Sequence, residues 1–182
     1  MLSRAVNVLK KYLETQEFVV ELEYEQVGDF VEINWKKHGQ HFYVYSVDVV
    51  YHKGRLAWFQ SSEADIYRLC VLDEGKKWEW EPEMYNPFFG CRCLELCWIG
   101  AYLMFVYQEK HDIYIAAVLD GQVKYHNFHG DRFKLTGNKF AYQTYNQHNR
   151  ALVSLLEIPS LRPLETIELG IAKRLGLEPE SH

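Results

Sequence analysis

The stretch GAYLMFVYQEKHDIYIAAVLD, residues 100–120, holds two apolar runs separated by a short polar segment and enclosed by a glycine and an aspartate. Each run has the length of an ordinary strand, and a polar segment of this size suits a hairpin loop. The same pattern occurs in residues 28–48, 54–73 and 137–157, and in all four segments the loop residue precedes the closing acid by eight positions. We therefore predict four antiparallel β-hairpins.

The regions around the hairpins extend this prediction to a fold class. The spacing between the hairpins leaves room for further strands, for example at 122–128 and 132–135. We predict a mainly β single domain over residues 1–182, an antiparallel meander of repeated hairpins covering residues 18–167. Before it, Ser3 can cap a helix over residues 1–16, in which Val6, Leu9 and Leu13 recur at helical spacing. A short C-terminal helix is predicted over 167–177, and it overlaps a C-terminal tail assigned to 168–182.

One part of the meander resembles a blade of a β-propeller. In such a blade, a hairpin that ends in Asp and Gly is followed by an outer strand that ends in Trp. The segment VLDEGKKW, residues 71–78, has this order, and LEIPSL, residues 156–161, is a weaker match. The resemblance implies a partial-propeller-like arrangement, and one large curved sheet is the alternative that explains the same spacing.

Composition and charge exclude several classes of function. The formal net charge of −5 and the absence of any Lys/Arg run longer than a doublet predict no binding to nucleic acid or to an anionic membrane. The longest mainly apolar run, residues 97–107, is shorter than the roughly 20 residues of a membrane-spanning helix. No secretory signal pattern is visible at the start, so we expect a cytoplasmic protein with reduced cysteines.

The segment WEWEPEMYNPFF, residues 78–89, is the most suggestive candidate for function. Trp, Tyr, Phe and Met are enriched at protein interfaces, and the interspersed glutamates would prefer a basic partner. We predict a non-catalytic protein-binding domain with an acidic aromatic surface, of the kind found in inhibitors or immunity-type proteins. Its binding residues are Trp78, Trp80, Glu81, Tyr85 and Phe88. The alternative is a loop that folds back over the sheet, with its aromatic side chains in the core.

A second candidate site is the segment HNFHGD, residues 126–131. His126, His129 and Asp131 could serve an enzyme or a small-ligand binder that has a His/Tyr/Asp-lined site on a concave sheet. On a strand, however, the two histidines face opposite sides, and a polar turn is the simpler interpretation. A third hypothesis is a homo-oligomer in which partial sheets complete each other.

The cysteines and the repeated acids have simpler structural explanations. Cys91, Cys93 and Cys97 lie on one face of a predicted strand, with Cys70 as a conceivable fourth metal ligand, but the paired spacing of structural zinc sites is missing. We therefore predict no metal and no cofactor. The acids that close or follow the hairpin loops fit turn chemistry better than a functional ring: Asp48, Asp65, Asp73, Asp112 and Asp120.

Overall fold

The computed structural model describes residues 3–63, 67–81, 92–109 and 112–182. Of Cys91 it describes the backbone alone. Within this part of the chain, contacts divide the protein into two compact units, Met1–Trp98 and Ile99–His182. Both units are built almost entirely from antiparallel strands, with one helix each. The predicted mainly β meander with an N-terminal helix and a short C-terminal helix is confirmed, whereas the single domain stays a prediction.

The first unit contains one helix and one large sheet. Its elements are α1 (Arg4–Thr15), β1 (Val19–Val27), β2 (Phe30–Lys37), β3 (Gln40–Tyr45), a 3₁₀ turn (Ser46–Asp48), β4 (Val49–His52), β5 (Arg55–Ser62), β6 (Tyr67–Asp73) and β7 (Lys76–Trp80). It also contains β8 (Cys91–Ile99) except for Ile99, and β8 does not belong to the large sheet. The sheet has the strand order β1-β2-β3-β5-β6-β7, and β4 pairs with β5. β7 is therefore the last strand in this order.

The helix of the first unit begins where the sequence predicts and covers one face of the sheet. The backbone N–H of Val6 donates to Ser3 Oγ over 3.2 Å, which caps the helix. Val6, Leu9 and Leu13 are buried in a cluster that also contains Trp35, Trp58 and Cys70 from three strands of the sheet. Removing each leucine side chain from water contributes about 2–3 kcal/mol, so this stripe fixes α1 on the sheet.

The second unit consists of two groups of strands and a short helix. Its elements are β9 (Tyr102–Glu109), β10 (Asp112–Leu119), β11 (Gln122–His129), β12 (Arg132–Thr136), β13 (Lys139–Tyr145), β14 (Ala151–Glu157), β15 (Arg162–Glu168), α2 (Leu169–Arg174) and β16 (Glu180–Ser181). β9, β10 and β11 are successive neighbours, and the other strands follow the order β15-β14-β13-β12-β16. The ring of Phe128 on β11 lies 5.4 Å from that of Phe140 on β13, which packs the two groups together.

All four predicted hairpins are present. They pair β2 with β3, β5 with β6, β9 with β10 and β13 with β14. The turn that follows the third hairpin contains Asp120 and Gly121, both with positive φ, at 50° and 75°. Two successive left-handed residues are typical of the type I′ turn, whose twist matches that of the strands it joins. The third hairpin is thus followed by a tight turn, as its closing Asp120-Gly121 predicts.

The described part of the chain contains no helix that is both long and apolar enough to cross a lipid bilayer.

Candidate functional site

A cleft lies in the first unit between the last turn of α1 and the face of the sheet that this helix covers. Its volume is about 210 Å³. Three of its residues come from the end of the helix and the others from β1, β2, β3, β5, β6 and β7: Tyr12, Leu13, Gln16, Val19, Trp35, Lys37, Phe42, Trp58, Gln60, Arg68, Lys77 and Glu79. We call it the helix–sheet cleft.

Aromatic rings form much of the wall of the helix–sheet cleft. Trp35 and Phe42 are directly opposite each other on β2 and β3, and their rings stack 5.7 Å apart at 20°. Tyr12 reaches down from α1, and its ring lies 5.6 Å from that of Trp58 on β5. The indole N–H of Trp58 donates to Gln60 Oε1 over 2.9 Å, so this buried polar group is satisfied. The rings are therefore held in place without a ligand.

Charged side chains line the cleft on β6 and β7, and a further one lies at the end of β2. Lys77 Nζ lies 2.9 Å from Glu79 Oε1, and Arg68 Nη1 lies 3.2 Å from Glu79 Oε2. The Arg68 guanidinium also donates to Glu81 through Nε, over 2.9 Å. In the part of the chain that the structure describes, Lys37 has no carboxylate within 4.0 Å, although its charge acts on Glu79.

The pKa values of Glu79, in the cleft, and of Cys70, opposite it on β6, keep the charge of both groups constant near neutral pH. Burial alone would raise the pKa of Glu79, but the hydrogen bond and charge of Lys77, with the charges of Arg68 and Lys37, lower it below its ordinary value. Glu79 therefore stays ionised near neutral pH and is a weak base. Beside it on β6, burial raises the pKa of the Cys70 thiol to about 12, so Cys70 stays protonated and unreactive.

Two of the predicted aromatic binding residues, Trp78 and Trp80, lie on β7. Their side chains are on the opposite face of this strand from that of Glu79. Trp78 and Trp80 are opposite Val71 and Leu69, whereas Glu79 is opposite Cys70 and faces α1. Both tryptophans are half-buried, and the exposed Glu81 binds Arg68. Tyr85 and Phe88, also predicted as binding residues, lie outside the described residues. The alternation of Trp and Glu thus places the aromatic rings on one face of the strand and the carboxylates on the other.

The structure gives the two predicted histidines separate partners. His126 Nε2 lies 3.1 Å from the Tyr142 hydroxyl, and burial lowers the pKa of this imidazole. His129 Nδ1 lies 2.9 Å from Asp112 Oδ1 on the neighbouring strand, with 85% of the histidine side chain exposed. Asp131 is exposed in the segment between β11 and β12. His126 and His129 therefore do not share a ligand position, in keeping with their opposite faces on β11.

The cysteines show no arrangement for metal binding in the described part of the protein. Cys70, Cys93 and Cys97 are not in disulfides. No group of three His, Cys, Asp or Glu side chains there converges closely enough to hold a metal ion. Burial raises the pKa of the Cys97 thiol to about 11, with the charge of Glu95 adding to the effect, so this thiol also stays protonated.

Asp48 is a residue whose special environment the sequence interpretation missed. It ends the 3₁₀ turn and is half-buried. Burial raises the pKa of its carboxyl to about 7, while a hydrogen bond with the Cys93 side chain acts in the opposite direction. A signal was present in the sequence, since Val49 and Val50 follow Asp48, whereas a glycine-containing turn follows Asp73 and Asp120. Apolar residues after the acid indicate a buried strand start instead of an exposed turn.

No known protein-family model matches the chain, and a search of curated proteins finds no relative.

Proposed function

We propose that this chain is a non-catalytic binding domain whose ligand occupies the helix–sheet cleft. The observation that carries the proposal is the combination of preformed aromatic walls with a few charged and amide side chains around them. Binding sites for small molecules have this composition, with apolar walls for contact area and few polar groups for orientation. The ligand class is then a small planar molecule or a side chain of similar shape.

The chemistry of the lining residues favours binding over catalysis. Among the described residues of the lining, Glu79 is the one carboxylate, and the neighbouring cations keep it ionised and weakly basic. A general base works best with a pKa near the working pH, which Glu79 lacks. In the described part of the chain, the lining contains no Ser, Thr, Cys or His that could act as a nucleophile with such a base. We therefore assign the cleft a recognition role.

Nuclear magnetic resonance of the indole N–H groups tests this proposal with an internal control. Of the five tryptophans, Trp35 and Trp58 line the cleft, while Trp78, Trp80 and Trp98 do not. Titration with small planar aromatic probes should shift the first two resonances saturably and leave the other three in place. Filling the cleft with Gln16→Phe should abolish the shifts, whereas Glu17→Phe, at an exposed position outside the lining, should preserve them. Shifts spread over all five indoles would contradict the proposal.

A protein partner is the second candidate, and the position of β7 favours it. Among the described strands, β7 is last in the order of its sheet, and it carries two half-buried tryptophans, Trp78 and Trp80, beside the exposed Glu81. An edge strand with aromatic side chains can pair with a strand of another protein. In this proposal the partner is basic, the domain acts as an inhibitor or immunity-type protein, and both work in the cytoplasm.

Substitution of Trp80 separates an interface role from a core role. Trp80→Ala should weaken capture of a purified partner while changing the melting temperature by only a few degrees, because the side chain is half-exposed. Leu69→Ala, which truncates the fully buried residue opposite Trp80, provides the control for core damage. A large drop in melting temperature for Trp80→Ala would assign this side chain to the core.

A further inference from the structure

The charge around the helix–sheet cleft differs in sign from that of the whole chain. Three cationic residues and one anionic residue of the described chain line the cleft, although the protein has a formal net charge of −5. We propose, on the basis of the binding role assigned above, that the ligand is an anion: a small aromatic molecule that bears a carboxylate.

The ion pairs show which cation is available to the ligand. Glu79 is shared between Arg68 and Lys77, and Arg68 also binds Glu81. Lys37 is half-buried, and among the described residues no carboxylate lies within 4.0 Å of it. A half-buried cation without a direct counter-ion is stabilised when an anion arrives, and charge-assisted hydrogen bonds are among the strongest polar contacts. Lys37 is therefore the primary contact for the carboxylate.

The spacing on β2 sets the shape of the ligand. Trp35 and Lys37 are two residues apart on this strand, so they share one face at a separation of roughly 7 Å along the backbone. A ring packed on Trp35 can then place a carboxylate at Lys37 when a linker of one or two carbon atoms joins them. Gln60 adds donors beside the ring, because its Oε1 accepts from Trp58 and no described residue accepts from its Nε2.

The volume of the cleft limits the size of the ligand. An enclosed cavity of about 150 Å³ holds a benzene molecule, and the helix–sheet cleft measures about 210 Å³. It therefore accommodates one ring system with a short acidic chain, and it is too small for a nucleotide. A quaternary ammonium ion, the usual ligand of an aromatic cage, would meet repulsion from Lys37, Arg68 and Lys77.

Three probes of matched size test the charge of the ligand: 3-phenylpropionate, its neutral amide, and a phenylethyl trimethylammonium ion. Binding to the full chain is measured by the shifts of the Trp35 and Trp58 indole resonances at low and high salt. We expect the carboxylate to bind about tenfold more tightly than the amide, with an affinity that falls as salt screens the charges.

A pair of neighbouring lysines provides the matched variants. Lys37→Met keeps most of the side-chain stem and removes the charge, so it should reduce carboxylate affinity to that of the amide. Lys36→Met is the control, because Lys36 binds Glu21 over 3.0 Å and does not line the cleft. Its variant should bind all probes as the parent protein does.

The outcomes separate the charge of the ligand from the existence of the site. Equal affinity for carboxylate and amide, or tightest binding of the ammonium probe, would contradict the proposal that the ligand is an anion. Either result would leave the proposed binding role of the cleft intact. If none of the three probes shifts Trp35 and Trp58 at its solubility limit, both proposals fail. Loss of the preference for the carboxylate probe in Lys37→Met, together with its retention in Lys36→Met, would support the proposal that the ligand is an anion.

Discussion

Replacing Asp48 with asparagine should make the first unit more stable at neutral pH and above. Burial raises the pKa of this carboxyl from 3.8 to about 7 in the folded chain, a difference of about 3 pKa units. Each unit corresponds to about 1.4 kcal/mol, so the ionised carboxylate costs the fold up to about 4 kcal/mol. Asparagine has nearly the same shape and carries no charge, so Asp48→Asn avoids this cost.

The sign of the pH dependence follows from the two pKa values. The unfolded carboxyl ionises near pH 4, whereas the folded carboxyl keeps its proton until about pH 7. The contribution of Asp48 to stability is therefore fully present below about pH 4, falls as the pH rises to about 7, and is constant above that. Between about pH 5 and pH 8, the advantage of Asp48→Asn over the parent should grow by about 2.5 kcal/mol.

Tryptophan fluorescence during urea unfolding measures this difference in the correct part of the chain. All five tryptophans, residues 35, 58, 78, 80 and 98, lie in the unit Met1–Trp98 that also contains Asp48. Comparing variant with parent at each pH removes the contributions of the other titrating groups. The control is Asp73→Asn, the exposed acid at the equivalent position of the second hairpin. An advantage that is the same at pH 5 and pH 8, or a variant that is less stable at both, would refute the reasoning.

Three further predictions concern the same unit. Cys93→Ala removes a hydrogen bond that lowers the Asp48 pKa, so the pH at which stability levels off should rise in the same urea series; an unchanged value would contradict this contact. Leu9→Ala, at a fully buried position of α1, should lower the free energy of unfolding by about 2–5 kcal/mol, and the exposed Lys11→Ala by less than about 0.5. Glu79→Gln removes a carboxylate from the lining of the cleft, so affinity for 3-phenylpropionate should increase in the indole titration; weaker binding would show that Glu79 serves the ligand.

The hairpins could be predicted because the information for each is local. The distance from loop to closing acid sets the strand lengths, and glycine after the acid permits the left-handed turn at residues 120 and 121. The N-terminal helix is local in the same sense, since Ser3, Val6, Leu9 and Leu13 specify both its start and its buried face. These features depend on neighbours within a few residues along the chain.

The helix–sheet cleft could not be predicted, because its parts are distant in the sequence. Tyr12, Trp35, Trp58 and Glu79 meet only after α1 crosses the sheet, and each alone fits an ordinary core or surface position. The pKa of Asp48 also has a distant contribution: burial raises it, and a hydrogen bond with Cys93, on a strand that follows four others, opposes the rise. Sequence spacing gives strand register, but it does not say which faces a helix will cover.

The charge of a strand surface likewise depends on neighbours that the sequence does not show. The run of Trp and Glu from residue 78 predicts an acidic aromatic surface when its charges are counted along one strand alone. In the sheet, Arg68 on β6 contacts both Glu79 and Glu81, and Lys77 contacts Glu79 from the same strand. The carboxylates are thus compensated on the face that α1 covers, while the tryptophans occupy the other face. Cross-strand pairing turns an acidic sequence segment into one wall of a basic cleft, which is why charge counted along the chain and charge at the site have opposite signs.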